Sequence, residues 1–167
     1  MPKTEENLKA AFAGESQANR RYLAYAKAAD AEGQTQVARL FRAAAEAETV
    51  HAHGHLRAMG GVKDTAANLE RAVNGETHEY TKMYPEFVKA AEQEGQEDAL
   101  RMFRYAHKVE QIHAGLFTKM KEALAAGKKP AETKIYVCSV CGNTVEGEPP
   151  EKCPVCESSR KAFNEVK

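Results

Sequence analysis

One four-residue pattern occurs twice in this chain. Glu48-Thr49-Val50-His51 is followed, 62 positions on, by Glu110-Gln111-Ile112-His113. In a helix, residues three apart share a face, so each pattern sets a carboxylate beside an imidazole. Two further acidic stripes accompany them, one with Glu15 and one with Glu76 and Glu79. A Glu from each of two helices plus Glu-x-x-His from each of the other two is the ligand set of a two-metal site in a four-helix bundle. These carboxylates fall on the inward stripes of their helices, and burying them together without cations would be strongly unfavourable. Mostly oxygen ligands with one imidazole per metal suit iron or manganese better than zinc.

The helices are read from their apolar period. Helix one carries Leu8, Phe12, Glu15, Ala18, Tyr22, Tyr25 and Ala29, with Thr4 as its expected cap and Gly33 as its stop. Thr35 is the expected cap of helix two, whose stripe is Leu40, Phe41, Ala44, Glu48, His51, His55 and Ala58, ending at Gly60-Gly61. Helix three is expected to start after Asp64-Thr65 and to carry Leu69, Ala72, Glu76, Glu79, Met83 and Phe87, kinked at Pro85 and ending at Gly95. Helix four reads Ala99, Phe103, Ala106, Glu110, His113, Phe117, Met120 and Leu124, and stops at Gly127.

The two halves repeat. Ala28-Ala29-Asp30-Ala31-Glu32-Gly33-Gln34 matches Ala90-Ala91-Glu92-Gln93-Glu94-Gly95-Gln96, Phe41-Arg42 matches Phe103-Arg104, and Tyr22 matches Tyr84, all at an offset of 62. Gly14-Glu15 matches Gly75-Glu76 at an offset of 61 instead. One inserted residue between Glu76 and Tyr84 accounts for the slip, and within a helix such an insertion forms a π-bulge, a feature frequent at functional sites.

The composition changes beyond Lys128-Lys129-Pro130. From Ile135, Val, Tyr, Gly and Pro replace Ala, and all four Cys of the chain follow as Cys138-x-x-Cys141 and Cys153-x-x-Cys156. The segment is too short for a large core of its own, so a metal held by four thiolates is expected to organise it. Spacing alone leaves iron and zinc open. The expected division is a helical bundle over 1–130 and a four-cysteine metal domain over 131–167.

Charge excludes several partner classes. With 24 basic and 24 acidic residues and no long basic run, neither nucleic acid nor an anionic membrane surface is an expected partner. No apolar stretch is long enough to span a bilayer, and the N-terminus carries no apolar secretory core. A cytoplasmic location is expected, where paired Cys-x-x-Cys motifs serve metals rather than disulfides.

The combination of Ala13-Gly14-Glu15-Ser16, Glu48-x-x-His51, Gly75-Glu76-x-x-Glu79, Met83-Tyr84-Pro85-Glu86, Glu110-x-x-His113 and the four cysteines resembles the rubrerythrin family over nearly the whole chain. The resemblance implies a mainly helical fold, a four-helix ferritin-like bundle followed by a small rubredoxin-like β/loop domain. It implies a non-haem diiron centre and one mononuclear iron in the tetracysteine site, with zinc an alternative in recombinant protein. By the same resemblance Glu48 and Glu110 bridge the irons, Glu15 is terminal on one, and Glu76 with His113 completes the other. Glu79 and His51 are alternative ligands, the carboxylate in the oxidised state and the imidazole in the reduced one. Tyr22 and Tyr84 match tyrosines that hydrogen-bond around the site, with core packing the other role open to them. His55 lies one turn beyond His51 as a candidate outer neighbour, with a packed or solvated role the weightier reading, and His53, His78 and His107 lie mostly off the stripe.

The implied activity is a hydrogen peroxide reductase whose electrons enter through the rubredoxin-like iron. No Gly-x-Gly-x-x-Gly follows a strand, so an external redox protein or an NAD(P)H-dependent reductase is the expected donor. The rival readings are a ferroxidase or iron-storage protein, and a binding protein with structural metals. The fused thiolate site argues against storage, and the extra carboxylate Glu79 against purely structural metals. A homodimer is expected, either head-to-tail or domain-swapped. Only 28 residues separate Glu48 from Glu76, and residues 60–65 reach about 20 Å at full extension. So short a return favours exchange of the first helical pair.

Overall fold

The structure is a computed structural model that describes residues 2–167. It divides into two compact units, one running to Lys63 and the other spanning Asp64–Lys167.

The first unit is a helical hairpin of α1 (Lys3–Ala31) and α2 (Thr35–Ala58). Thr4 does not cap α1. Pro2 takes that place, with extended backbone, and its carbonyl accepts from the N–H groups of Glu5 and Glu6. These two glutamates suit the positive end of the helix. Thr35 does not cap α2 either. The turn closes through its backbone: Gln34 N–H donates to the Ala29 carbonyl at 2.8 Å, Gln34 C=O accepts from Ala38, and Gly33 takes φ 73°. With that reversal already bonded, no side-chain cap is needed.

The hairpin's contact is built from small residues. Ala38, Ala45 and Ala52, seven apart on α2, are buried, as are Ala26, Ala29 and Asn19 on α1. The Asn19 amide donates to the Ala45 carbonyl at 2.7 Å and to the Thr49 hydroxyl at 2.9 Å, pinning the register of the two helices. The larger residues of the expected inward stripes behave differently: Tyr25, Leu40, Phe87 and Leu124 are exposed, Leu40 at 69%. A two-helix hairpin covers one face of each helix, and alanines occupy that face here.

The second unit begins with α3 (Thr65–His78), where Asp64 Oδ1 accepts from Ala67 N–H at 2.8 Å, a cap that contributes about 1 kcal/mol. A π-helix over Glu79–Met83 follows, then α4 (Tyr84–Glu94) and α5 (Glu97–Ala125). The expected single helix with a kink at Pro85 is therefore three segments, with Pro85 in the first turn of α4. Tyr84 N–H donates to the carbonyl of Glu79, five residues back. Pro85 has no N–H to return to the ladder, so the wide turn lies where regular bonding would already be broken. This is the inserted residue inferred from the slip of the repeat.

The duplication extends to contacts. Tyr22, Tyr25 and Phe41 cluster in the first unit, and Tyr84, Phe87 and Phe103 in the second. Arg42 pairs with Asp30, and Arg104 with Glu92, each at 2.7 Å. Lys121 of α5 pairs with Glu70 of α3.

The C-terminal part of the second unit is a three-stranded antiparallel sheet in the order β2-β1-β3, from β1 (Ile135–Cys138), β2 (Thr144–Glu146) and β3 (Phe163–Val166). Cys138 pairs with Phe163 in register. Its small core is Cys138, Cys141, Cys153 and Phe163, against which Tyr105 of α5 packs.

Because alanines set the spacing of the first hairpin, Ala45→Leu should destabilise the protein by about 1–3 kcal/mol through overpacking. Urea unfolding of the metal-loaded protein would measure this as a lower midpoint with an unchanged slope.

Candidate metal centres

Each unit carries its own carboxylate–histidine triad. In the first, α1 supplies Glu15 and α2 supplies Glu48 and His51. In the second, α3 supplies Glu76 and α5 supplies Glu110 and His113. Within each triad one ligand atom per residue lies within 4.8 Å of the others. The Glu-x-x-His spacing does its expected work: His51 Nδ1 is 3.2 Å from Glu48 Oε2, and His113 Nδ1 is 2.8 Å from Glu110 Oε2 and 3.9 Å from Glu76 Oε2.

The protonation of these groups tests whether a cation fits. Glu76 is pushed up to about 7, first by burial and then by its hydrogen bond to Glu110 and the charges of Glu110 and Glu79. Glu15 is raised by its hydrogen bond to Glu48, with burial and the Glu48 charge adding, while His51 and His55 oppose the shift. Glu48 is correspondingly lowered, by Glu15 first and His51 second. In each triad one carboxylate, Glu15 or Glu76, binds its proton more tightly because a neighbouring carboxylate lies at such range. A divalent cation in place of that proton satisfies both oxygens and the facing Nδ1, so the residues fit a metal in each triad.

Glu79 sits at the start of the π-helix and lies outside the second triad's tight group. It is still within its field: burial, then the charge of Glu110, raises it, and His113 pulls it down. Tyr84 is raised by burial and by Glu110, Glu79 and Glu76 together, which places its hydroxyl beside the same cluster. Tyr22 enters through its ring, with centroids 6.2 Å from Phe41 and 6.3 Å from Tyr25. The two histidines differ in exposure. The His51 side chain is 57% exposed and the His113 side chain 26%, which leaves His51 freer to move.

The four cysteines form the third site. Cys138 Sγ is 3.7 Å from Cys156 Sγ, and Cys141 Sγ is 3.6 Å from Cys153 Sγ. A tetrahedron with metal–sulfur bonds of about 2.3 Å has edges of about 3.8 Å. The two knuckles are built alike. Gly142 N–H donates to the Cys138 carbonyl at 2.8 Å and Glu157 N–H to the Cys153 carbonyl at 2.9 Å. Both residues sit in the left-handed region, Gly142 at φ 84° and Glu157 at φ 62°. That turn aims the backbone N–H of Asn143 at Cys141 and that of Ser158 at Cys156. Burial pushes the Cys141 thiol up, against the pull of that N–H. Cys156 falls to about 7, where the Ser158 hydroxyl and N–H outweigh burial.

Two groups near these sites were not singled out from sequence. The side-chain amide of Asn143, fully buried, donates to Cys153 Sγ at 3.6 Å. The Thr144 hydroxyl lies 2.9 Å from His113 Nε2. Their only signal in the sequence is that they follow Cys141-Gly142, and nothing there points to α5.

A helical scaffold with two Glu/Glu/His triads and a fused tetrathiolate knuckle defines the ferritin-like diiron proteins that carry a rubredoxin-like domain. The rubrerythrin family model matches residues 6–121, and the model for the rubrerythrin rubredoxin-like domain matches residues 136–164. Nigerythrin of Nitratidesulfovibrio vulgaris is 38% identical, covering 96% of this chain and 85% of the relative. Rubrerythrin-2 of Clostridium acetobutylicum is 34% identical, covering 96% and 95%. The solved structure of fully reduced, all-ferrous nigerythrin is similar with a TM-score of 0.59 at 34% identity, covering 99% of this chain and 88% of that one. The chain belongs to the rubrerythrin family. It is accordingly a non-haem diiron peroxidase of the rubrerythrin type, with an electron relay through its rubredoxin-like iron site. None of the described helices is long and apolar enough to cross a membrane.

The more tightly held proton of Glu76 has a consequence for pH. Glu76 is raised from 4.5 to about 7 in the fold, so the native state holds its proton more tightly than the unfolded chain does. Metal-free stability is therefore lost as pH rises from about 4.5 to about 7 and is level above. With zinc kept in the cysteine site and the triads metal-free, Glu76→Gln should gain on wild type across that window. Melting temperatures from pH 4.5 to 8 would check it, and a difference constant with pH would contradict it.

Proposed function

We propose that the two triads together hold the iron pair at which hydrogen peroxide is reduced to water, with the residue roles that follow. Glu15, Glu48 and His51 serve one iron, Glu76, Glu110 and His113 the other, and Glu79 is the additional carboxylate that alternates with His51. Iron held there would supply the two electrons that cleavage of the O–O bond requires. The chain's own groups do the rest. Glu76, raised to about 7, holds a proton near neutral pH where two waters must be released, and burial with the Glu110 charge shifts Glu79 in the same direction. The Tyr84 hydroxyl, its proton held more tightly by burial and then by its acidic neighbours, is the donor within the same cluster. Tyr22 takes the equivalent place in the first repeat. The observation that carries this reading is the pairing of half-buried carboxylate–histidine clusters with a preformed tetrathiolate knuckle in one chain.

The functional division we propose is a diiron bundle over 1–130 and a rubredoxin-like tetrathiolate iron domain over 131–167, supported by the end of α5 at Ala125 and the start of β1 at Ile135. The electron donor is an external redox protein or an NAD(P)H-dependent reductase. Metal analysis with visible spectroscopy tests the whole reading. About three irons per chain and a red colour, bleached by reductant and restored by peroxide, are expected. Iron in the bundle beside a colourless, zinc-filled cysteine site would favour a ferroxidase or iron-storage role.

The working form we propose is a homodimer in which the first hairpin is exchanged between chains. The short return over residues 60–65 supports this, as do the exposed Tyr25, Leu40 and Val50 of the first hairpin and Phe87 and Met102 of the second unit. Complementation is the test. Glu48→Ala and Glu110→Ala each spoil one triad and should be inactive alone. Refolded together, exchanged hairpins give each mixed dimer one intact pair of triads, and peroxide turnover returns. Head-to-tail dimers of closed chains would leave every site damaged and recover nothing.

A further inference from the structure

We propose that Thr144 is a positioning residue that joins the tetracysteine domain to the metal ligand His113. It fixes the imidazole with one nitrogen free for metal and provides a hydrogen-bonded bridge between the two kinds of centre. All of the residues involved lie in the second unit, and the inference rests on the diiron reading above.

The argument begins with one hydroxyl proton. Thr144 Oγ1 donates to the carbonyl of Gly142 at 3.2 Å. Having spent its proton there, it meets His113 Nε2, 2.9 Å away, as an acceptor. Nε2–H of His113 thus donates to Thr144, and Nδ1, 2.8 Å from Glu110 and 3.9 Å from Glu76, is left as the nitrogen that a metal between them would take. That is the tautomer a metal needs, and outer hydrogen bonds of this kind orient metal-bound imidazoles generally. The alternative tautomer would leave Nε2 to accept from a hydroxyl already committed to Gly142.

The same contacts form a continuous route. Gly142 follows Cys141 directly, so its carbonyl is a few covalent bonds from that thiolate. The route runs from Cys141 through the Gly142 peptide, across the Thr144 hydroxyl, into the His113 ring and out at Nδ1. The Gly142 turn is seated on α5: a Cβ added there would lie 3.8 Å from Val109, and Tyr105 packs on the cysteine core. Lys119 of α5 pairs with Glu146 of β2 on the same face. That ion pair holds the two elements together without touching His113, and so separates docking from coupling.

Three variants of the full-length protein test this: Thr144→Val, which keeps the shape and loses the hydroxyl, Thr144→Ser, which restores it, and Lys119→Met, which weakens docking alone. The first readout does not use activity. With zinc in the cysteine site, Mn(II) is titrated into the triads and free ion is followed by EPR. Thr144→Val should weaken the tighter-held manganese about tenfold, the lower end of the range for removing an outer partner of a metal-bound imidazole. Thr144→Ser and Lys119→Met should match wild type. In the second readout, fully reduced iron protein is mixed with one equivalent of peroxide and the returning colour of the tetrathiolate iron is timed. Thr144→Val should slow it by about tenfold or more, and Thr144→Ser should not.

Wild-type manganese affinity and recolouring in Thr144→Val would overturn the proposal. An equal loss in Lys119→Met would also overturn it, because docking alone would then explain the effect. Should Thr144→Val fail to fold, Thr144→Ala takes its place with the same expectations. If wild type does not respond to peroxide at all, the peroxidase reading fails while the manganese titration still decides on Thr144.

Discussion

The constraint on which this molecule turns is the repulsion between carboxylates set side by side on apolar helix faces. Glu15 beside Glu48, and Glu76 beside Glu110, each bind their proton more tightly in the metal-free chain because two charges at that range are unfavourable in a partly dry site. A divalent ion removes the conflict and turns a penalty into a bond. The fold can carry this cost because each triad is distributed over two helices held elsewhere by contacts that need no metal. The alanine seam and Asn19 hold the first hairpin, and the Asp64 cap, the Lys121–Glu70 pair and the aromatic trio hold the second unit. The scaffold is thus prepared for the ion rather than made by it. The C-terminal knuckles are the opposite case, since their core is largely the four sulfurs themselves.

Duplication explains the symmetry of the triads, and one inserted residue explains why they are not equivalent. The aromatic trios, the Asp30–Arg42 and Glu92–Arg104 pairs, and the glycine turns at Gly33 and Gly95 all repeat at the same offset. The π-helix over Glu79–Met83 breaks that correspondence between Glu76 and Tyr84. It widens the helix where Glu79 and Tyr84 approach the second triad, and the first repeat has no carboxylate opposite Glu79, where Gln17 and Ala18 stand at the two offsets. An irregular turn of this kind sacrifices regular bonding, and Pro85 ensures that the ladder was interrupted there in any case. The asymmetry fits the role proposed for Glu79, that of a ligand that changes partner.

Much of this is legible in the sequence, for reasons that differ from residue to residue. Glu-x-x-His fixes its own geometry through helical spacing, and Cys-x-x-Cys does so through the knuckle turn, so the fold brings each of these sets together. The π-helix is legible only because the repeat supplies a ruler against which one residue is extra. The caps expected at Thr4 and Thr35 mislead, since Pro2 and the backbone-closed turn at Gly33 satisfy the same groups by other means. The exposure of Leu40 and Phe87 is also unexpected. Periodicity identifies the apolar face of a helix, but alanine decides which neighbour lies close enough to cover it. Thr144 and Asn143 escape a sequence reading because their roles depend on which helix the small domain is seated against, and that is a tertiary fact.

The seating on α5 sets the limits on how electrons and protons travel. A tetrathiolate iron exchanges one electron at a time, whereas peroxide cleavage consumes two, so the relay must be crossed more than once for each turnover. A relay of that kind benefits from a fixed bridge rather than a chance encounter. Here the bridge is short because β2 follows the first knuckle immediately, placing Thr144 three residues from Cys141 and against the ring of His113. His113 has a partner at each ring nitrogen, whereas the Nδ1 of His51 faces Glu48 and its side chain is the more exposed of the two within the chain. One imidazole is thereby rigid and wired while the other keeps room to move. The division of labour between two copies of one Glu-x-x-His pattern is set by what packs behind them.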